Sequence, residues 1–250
     1  MSEKIQNVLP DLSVVVLCYR SGILAYEFVD ELTKLMSERV PNDYELVLVG
    51  NYHQGSDDPT PQIVQEISRR SKNIIAVTLP KEGMMGWDMR SGLNAATGMH
   101  IAVIDGDKQM PIEDLVRVYE FLKKGQYDLV KTYRITRGDG LWRKTVSFVY
   151  NLLFKILFPG LKSKDINSKP KVFTRKAFNK FDLKNDDWFI DAEMMIQARR
   201  YHFKIGEIPT HFLGLGGRRP SFVRFPAILQ FLKNMFVYRF KETMYRKIKS

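Results

Sequence analysis

The sequence predicts an α/β fold, a three-layer sandwich around a central, mostly parallel sheet. Three observations carry that reading. Short runs dominated by Val, Ile and Leu recur through residues 12–132, and uniformly apolar runs of this length suit strands covered on both faces. Between them lie segments whose apolar residues recur three or four apart, the period of a helix with one buried side. Strand and helix alternate, as they do when right-handed crossovers join parallel strands. A chain of 250 residues with 44% hydrophobic content suits one large domain with a substantial core.

Residues 12–17 are the first predicted strand and 23–39 the first helix, with Leu24, Phe28, Leu32 and Leu35 at helical spacing. A second strand is expected at 44–49 and a second helix at 61–71, with Ile63, Val64 and Ile67 on one side. Residues 73–78 give a third strand, and 87–96 suit a helix that Gly98 ends. The fourth strand covers 100–104. The helix at 111–124 carries Pro111 in its first turn, and a strand at 127–132 follows. The second half is less regular. Residues 142–158 are aromatic and apolar with scattered Lys and Arg, and Pro159 and Gly160 end them. A strand at 172–175, a helix at 191–201, a strand at 203–209 and a Gly- and Arg-rich loop at 213–220 come next. Residues 222–249 mix aromatic and basic side chains. The expected division is a main domain over residues 1–221 and a basic, amphipathic helical extension over 222–250. That extension either belongs to the same domain or meets a membrane.

The net charge of +11 implies an anionic partner, whether nucleic acid, phospholipid or a phosphorylated substrate. The single cysteine, Cys18, cannot form an internal disulfide and reads as a buried reduced thiol, which fits a cytosolic setting. Residues 1–11 are polar and charged, so no signal peptide is expected at this start. No run reaches the roughly 18–20 apolar residues that a spanning helix needs. The longest, 146–158 and 225–240, are interrupted by Lys155 and by Lys233 and Arg239. The two stretches are apolar enough to be core or to lie in a membrane interface, and Arg239, Lys241, Arg246, Lys247 and Lys249 would add attraction to anionic lipid. The expectation is a cytoplasmic protein held peripherally on the inner face of a membrane.

Asp105-Gly106-Asp107 follows the fourth predicted strand directly. Ligands in parallel sheets bind beyond the carboxyl ends of the strands, which makes this the first place to look. Mg²⁺ and Mn²⁺ favour one or two carboxylates, with substrate phosphates and water completing the shell, and Gln109 offers an amide oxygen nearby. Taken alone the triplet also fits an ordinary polar turn. Arg134, Arg137 and Arg143 form a basic group in mid-chain, and Ser147 and Asn151 share a helix face with Arg143. Such residues suit phosphate binding. The four histidines are dispersed, and no spacing suggests zinc.

Val15-Val16-Leu17-Cys18-Tyr19, then Val103 through Pro111 (VIDGDKQMP), then Asp191-Ala192-Glu193 resemble the successive motifs of the family-two glycosyltransferases. Order and spacing carry the resemblance more than any one motif. It implies the GT-A fold and an inverting transfer from a nucleotide sugar, a UDP- or GDP-sugar. The branch it is most similar to is the dolichyl- and polyprenyl-phosphate sugar transferases, which would place the chain in cell-envelope glycan biosynthesis. The resemblance implies that Asp105 contacts the nucleotide ribose or the metal, and that Asp107 and Gln109 hold Mg²⁺ or Mn²⁺ on the diphosphate. Tyr19, Asn51 and Arg90 would then line the donor pocket. Asp191 or Glu193 would act as base or position the acceptor. Arg134, Arg143, Ser147 and Arg219 would face the acceptor phosphate. The first strand here ends Tyr19-Arg20-Ser21 without the family's usual acidic residue, and Gly50-Asn51-Tyr52-His53 replaces the usual Asp-Asp-Gly-Ser. Asn51 can still read a base, since its amide both donates and accepts.

Two other readings stand beside this one. The acceptor is a hydroxyl of a cell-surface or lipid-linked glycan, in which case Asp191 or Glu193 must act as base. Or the chain is a non-catalytic basic module on membranes or nucleic acid, which its charge permits. Nucleic acid is the least expected partner, because the acids at 105, 107, 191 and 193 fall where a donor site belongs.

Overall fold

All six residues of β1 (Leu12–Leu17) are buried, and so are all six of β2 (Tyr44–Val49). That pattern requires helices on both faces of the sheet. A computed structural model describes residues 9–40, 43–136, 140–213 and 225–249, with the side chains of 136, 140–147, 225–228 and 245–249 outside the description. The remaining elements are α1 (Leu24–Arg39), α2 (Thr60–Ser68), β3 (Ile74–Val77), α3 (Met85–Ala95), β4 (His100–Asp105), α4 (Glu113–Gly125) and β5 (Leu129–Thr136). They continue with α5 (Gly140–Leu157), β6 (Lys171–Thr174), α6 (Arg175–Phe178), α7 (Ile190–Arg200), β7 (Ile205–His211) and α8 (Phe225–Lys249).

The seven strands form one sheet in the order β3-β2-β1-β4-β6-β5-β7. Every neighbouring pair is parallel except the two made by β6, which runs against both β4 and β5. Alternate strand residues face opposite layers. Val14, Val16, Leu46, Leu48, Ala102 and Ile104 join residues of α1, α2 and α4 in one core. Val15, Val47, Val49, Ile101 and Val103 join α3, α5, α7 and α8 in the other. The three-layer sandwich expected from the sequence is therefore the fold. Gly92 lets α3 lie close on the sheet: a Cβ there would stand 2.5 Å from Val15 Cγ1 and 2.6 Å from Val49 Cγ2.

Three details differ from the sequence reading. β5 runs on to Thr136, four residues beyond the expected end, because β7 pairs beside it as far as His211. A single helical turn, α6, follows β6, with the Thr174 hydroxyl accepting from the Ala177 amide at its start. The helix expected from Pro111 begins at Glu113.

On the α8 side, Met235 is wholly buried, and the Tyr238 hydroxyl donates to Glu193 Oε1 at 2.7 Å. Arg199 on α7 pairs with the buried Glu242 at 2.7 Å. One face of α8 thus packs on the domain. Leu229, Phe236, Val237, Phe240 and Met244 on α8 are exposed, as are Phe148, Val149, Leu152 and Ile156 on α5. Among the described residues no helix is long and apolar enough to cross a membrane.

Candidate active site

Asp105 is the last residue of β4 and lies in register with Leu17, the last of β1. The Gly106 amide donates to the Leu17 carbonyl at 3.0 Å, so the chain turns off the sheet immediately after Asp105. Lys108 adopts the left-handed region at φ 56°, and its ammonium pairs with Glu27 and Glu31 of α1 at 2.8 Å each. Asp107 Oδ1 accepts from the Gln109 amide at 3.1 Å, and the Gln109 carbonyl accepts from Leu213 at 2.9 Å. The loop carrying Asp105, Asp107 and Gln109 is therefore pinned from three sides. Asp105 keeps 37% of its side chain exposed.

The antiparallel direction of β6 explains what lies behind Asp105. Lys171 pairs with Val103, so the chain leading into β6 runs up alongside the end of β4. That brings Lys169 Nζ to 3.3 Å from both carboxylate oxygens of Asp105. The same ammonium lies 3.2 Å from Asp191 Oδ2, and Lys171 Nζ lies 2.5 Å from Asp191 Oδ1. Asp191 opens α7 and is only 1% exposed. Burial alone would raise its pKa. The two ammoniums outweigh burial and hold the carboxyl below the usual range. Lys169 moves the other way: burial works against its charge, but Asp105 and Asp191 together raise its pKa. Burial dominates at Lys171, whose value falls to about 8.

Glu193, one helical half-turn further, does a different job. Its carboxylate accepts from the Lys184 amide at 3.1 Å and the Asn185 amide at 2.9 Å, besides Tyr238. It thereby fixes the segment before α7. Asp186 in that segment accepts from the Met84 amide at 2.7 Å and forms an ion pair with Arg90. Gly83 permits the contact, since a Cβ there would sit 2.7 Å from Asp186 Cβ. Arg90 thus joins α3 to the α7 approach.

Beyond the ends of β1 and β2, Lys81 Nζ lies 4.2 Å from the Tyr19 ring centroid and pairs with the buried Asp88. Burial raises the Asp88 pKa against the pull of Lys81. Asn51 Nδ2 donates to Asp88 Oδ1 at 3.0 Å and to Ser91 Oγ at 2.8 Å, and its Oδ1 accepts from Leu79 at 2.8 Å. The amide of Asn51 is engaged within the protein and orients Asp88. On the other side of the sheet's centre, Arg134 grips Asp165 with two bonds, Nε–Oδ2 at 2.7 Å and Nη2–Oδ1 at 2.9 Å. The side chains of Arg143 and Ser147, and the whole of Arg219, lie outside the described residues.

The strand ends bring together Asp105, Asp107, Gln109 and, through Lys169, Asp191. Tyr19 and Asn51 belong to a neighbouring group with Lys81 and Asp88, while Glu193 and Arg90 brace the wall. Lys171 and Asp186 escaped the sequence reading, as did the pairing of Lys81 with Asp88. One signal was available: Lys171 stands inside the apolar strand Lys171–Thr174, where a charge must find a buried partner. Asp88 gave none, because a lone acid on a helix reads as solvated.

The family model for glycosyl transferase family 2 matches residues 13–186. The chain belongs to that family. An undecaprenyl-phosphate 4-deoxy-4-formamido-L-arabinose transferase from Photorhabdus laumondii is 32% identical over 124 residues, covering 49% of this chain and 37% of that protein. Glycosyltransferase AglD from Haloferax volcanii is 26% identical over 220 residues, covering 86% of this chain and 35% of its own length. The chain thus spans little more than a third of either relative. Among solved structures, glucosyl-3-phosphoglycerate synthase from Mycobacterium tuberculosis, held with Mn²⁺, UDP and glucosyl-3-phosphoglycerate, superposes with a TM-score of 0.68 at 16% identity. That match covers 92% of this chain and 80% of the other. At such identity the likeness is one of fold, the GT-A fold.

Proposed function

We propose that the protein transfers a sugar, with inversion, from a UDP- or GDP-sugar to a polyprenyl phosphate at the cytoplasmic face of a membrane. The observation that carries this reading is the Asp105–Asp107 pair at the end of β4, in a family whose members here include undecaprenyl-phosphate transferases. The pair suits a divalent ion. It supplies two hard oxygen donors on a pinned turn, where substrate phosphates and water would complete the shell. Asp105, Asp107 and Gln109 would hold Mg²⁺ or Mn²⁺, which would offset charge on the departing diphosphate.

Tyr19 and Lys81 offer the donor nucleotide an aromatic face backed by a cation. Asn51, Asp88 and Arg90 keep that wall in place. The acceptor phosphate oxygen forms a bond to the anomeric carbon as the bond to the diphosphate oxygen breaks, and a nucleoside diphosphate leaves. A phosphate is already anionic near neutral pH and needs no base. The burial of Asp191 and Glu193 fits this, since each is 1% exposed and engaged by neighbouring donors. Both are assigned positioning roles. Arg134, with Arg143, Ser147 and Arg219, is assigned to the acceptor phosphate. Residues 222–250 are read as part of the same domain, with the exposed apolar sides of α5 and α8 and the basic tail resting on anionic lipid. Nucleic acid has no part in this reading.

The test is transfer from radiolabelled UDP- and GDP-sugars to undecaprenyl or dolichyl phosphate in vesicles, with Mn²⁺ or Mg²⁺. Asp107→Ala should lower turnover by roughly 10²–10³-fold without unfolding the chain. A protein that binds neither nucleotide in a metal-dependent way would overturn the proposal. A glycan-hydroxyl acceptor would instead show as transfer to glycans and near-complete loss in Asp191→Asn.

A further inference from the structure

Lys169 is an unusual neighbour for a carboxylate assigned to a metal. Its ammonium faces both Asp105 oxygens at the same distance, 3.3 Å, a side-on contact that shares the cation over the whole carboxylate. It cannot swing away easily. The side chain is 4% exposed, Asp191 holds the ammonium from behind at 3.2 Å, and Met85 Sδ lies 3.6 Å from it. Behind Asp191 stands Lys171. The four groups alternate in sign, Asp105, Lys169, Asp191, Lys171, and sum to zero. Asp105 is therefore neutralised from inside the protein while its outer side stays open to solvent.

We propose that Lys169 is a resident cation of the donor site, which keeps a divalent ion from settling on Asp105 until a nucleoside diphosphate arrives. A hydrated Mg²⁺ or Mn²⁺ gives up water reluctantly, and a carboxylate already facing an ammonium offers it little net charge. The diphosphate brings fresh negative charge and oxygen ligands, and these tip the balance. Metal and nucleotide thus bind together. Lys169 is a positioning residue here: it acts on the metal through Asp105. The inference rests on reading Asp105 as a metal ligand, and the experiment separates the two.

Mn²⁺ binding is measured by electron paramagnetic resonance on wild type, Lys169→Met, Lys169→Gln and Asp105→Asn, alone and with UDP or GDP. Circular dichroism checks the fold of each. Wild type should bind Mn²⁺ at least about tenfold more weakly alone than with the nucleotide it accepts. Both neutral Lys169 variants should tighten nucleotide-free binding by about tenfold or more and shrink that gap. Unchanged Mn²⁺ affinity in folded Lys169 variants, with binding lost in Asp105→Asn, overturns the role of Lys169 and leaves the metal reading standing. Binding unaffected by Asp105→Asn overturns both. If neither Lys169 variant folds, wild type decides: equal Mn²⁺ affinity with and without nucleotide refutes the proposal.

Discussion

The two sides of the sheet are held together by different forces. From β3 to β4 the strands are filled mainly with Val, Leu, Ile and Ala, and helices bury both faces, although Glu45 and the Lys81–Asp88 pair are buried there too. From β6 to β7 the strands and their approaches carry buried charge: Lys131, Lys169, Lys171, Asp165, Asp191 and Glu193 are all buried. Lys131 bridges the Thr132 carbonyl at 2.7 Å and Glu207 at 3.2 Å, and Arg134 grips Asp165. Hydrophobic burial is tolerant of shape and indifferent to pH. A buried ion pair adds little net stability, yet removing one partner strands the other in a medium that cannot solvate it. The β1–β4 side is thus built mainly on apolar packing. The β6–β7 side is specified by charge, and its geometry depends on every partner being present.

The sharpest way to break this contrast is to remove one buried acid and one buried aliphatic. Asp191→Ala leaves Lys169 without its inner partner and Lys171 without its carboxylate. The expected loss is about 3–5 kcal/mol in urea unfolding. Leu48→Ala, in the middle of β2 and wholly buried, should cost about 2–4 kcal/mol through lost burial and the cavity left behind. The two should differ most in their pH dependence. If Asp191→Ala costs under about 1 kcal/mol, the β6–β7 side is held by packing after all.

A smaller effect comes from titrating the same cluster in the wild type. Asp191 has a folded pKa below its ordinary value, so its contribution to stability is present above pH 3.8 and is lost as pH falls through the lowered value. Lys171 is the opposite case. Its folded pKa of about 8 lies below the ordinary 10.5, so the unfolded chain binds more protons between those values. This group's contribution therefore rises with pH across that window, and its full penalty applies below it. Leu48→Ala should follow the wild-type profile in parallel. In Asp191→Ala the acid-side loss assigned to this carboxylate should vanish, and denaturation midpoints measured from pH 3 to 10 check both.

This division of forces also decided what could be read from the chain. The bounds of β1 and β2 follow from their apolar runs, because hydrophobic burial leaves a period in the sequence. The turn of Asp105 and Asp107 could be placed because an apolar strand runs into it, with Asp105 as its last residue. The ion pairs leave no such trace. Lys169 and Asp191 are 22 positions apart and meet only because β6 runs antiparallel into the end of β4. A charge in a sequence names no partner; only topology does. For the same reason Asp191 and Glu193 look alike as neighbours in one motif, yet one faces two lysines and the other two backbone amides and a tyrosine.

Cys18 offers the gentlest probe, since it perturbs nothing. It follows β1 under the Asp105 turn, 1% exposed, and burial pushes its thiol up to about 12. In wild type at pH 8 a thiol reagent should react only as fast as the β1–β4 side opens. If the sheet opens as one unit, both variants speed labelling by about tenfold for each 1.4 kcal/mol they lose in urea. If the sides open separately, Leu48→Ala follows that rule and Asp191→Ala falls short of it. The second outcome is the expected one. β4 and β6 share only four paired positions, and of the cluster that Asp191 anchors only Asp105 lies on the β4 side of that seam. Removing Asp191 should loosen the β6–β7 side more than the packed strands β1 to β4. Labelling that tracks the full loss in both variants would show the seam to be no boundary, and the two differently built sides to be a single cooperative unit.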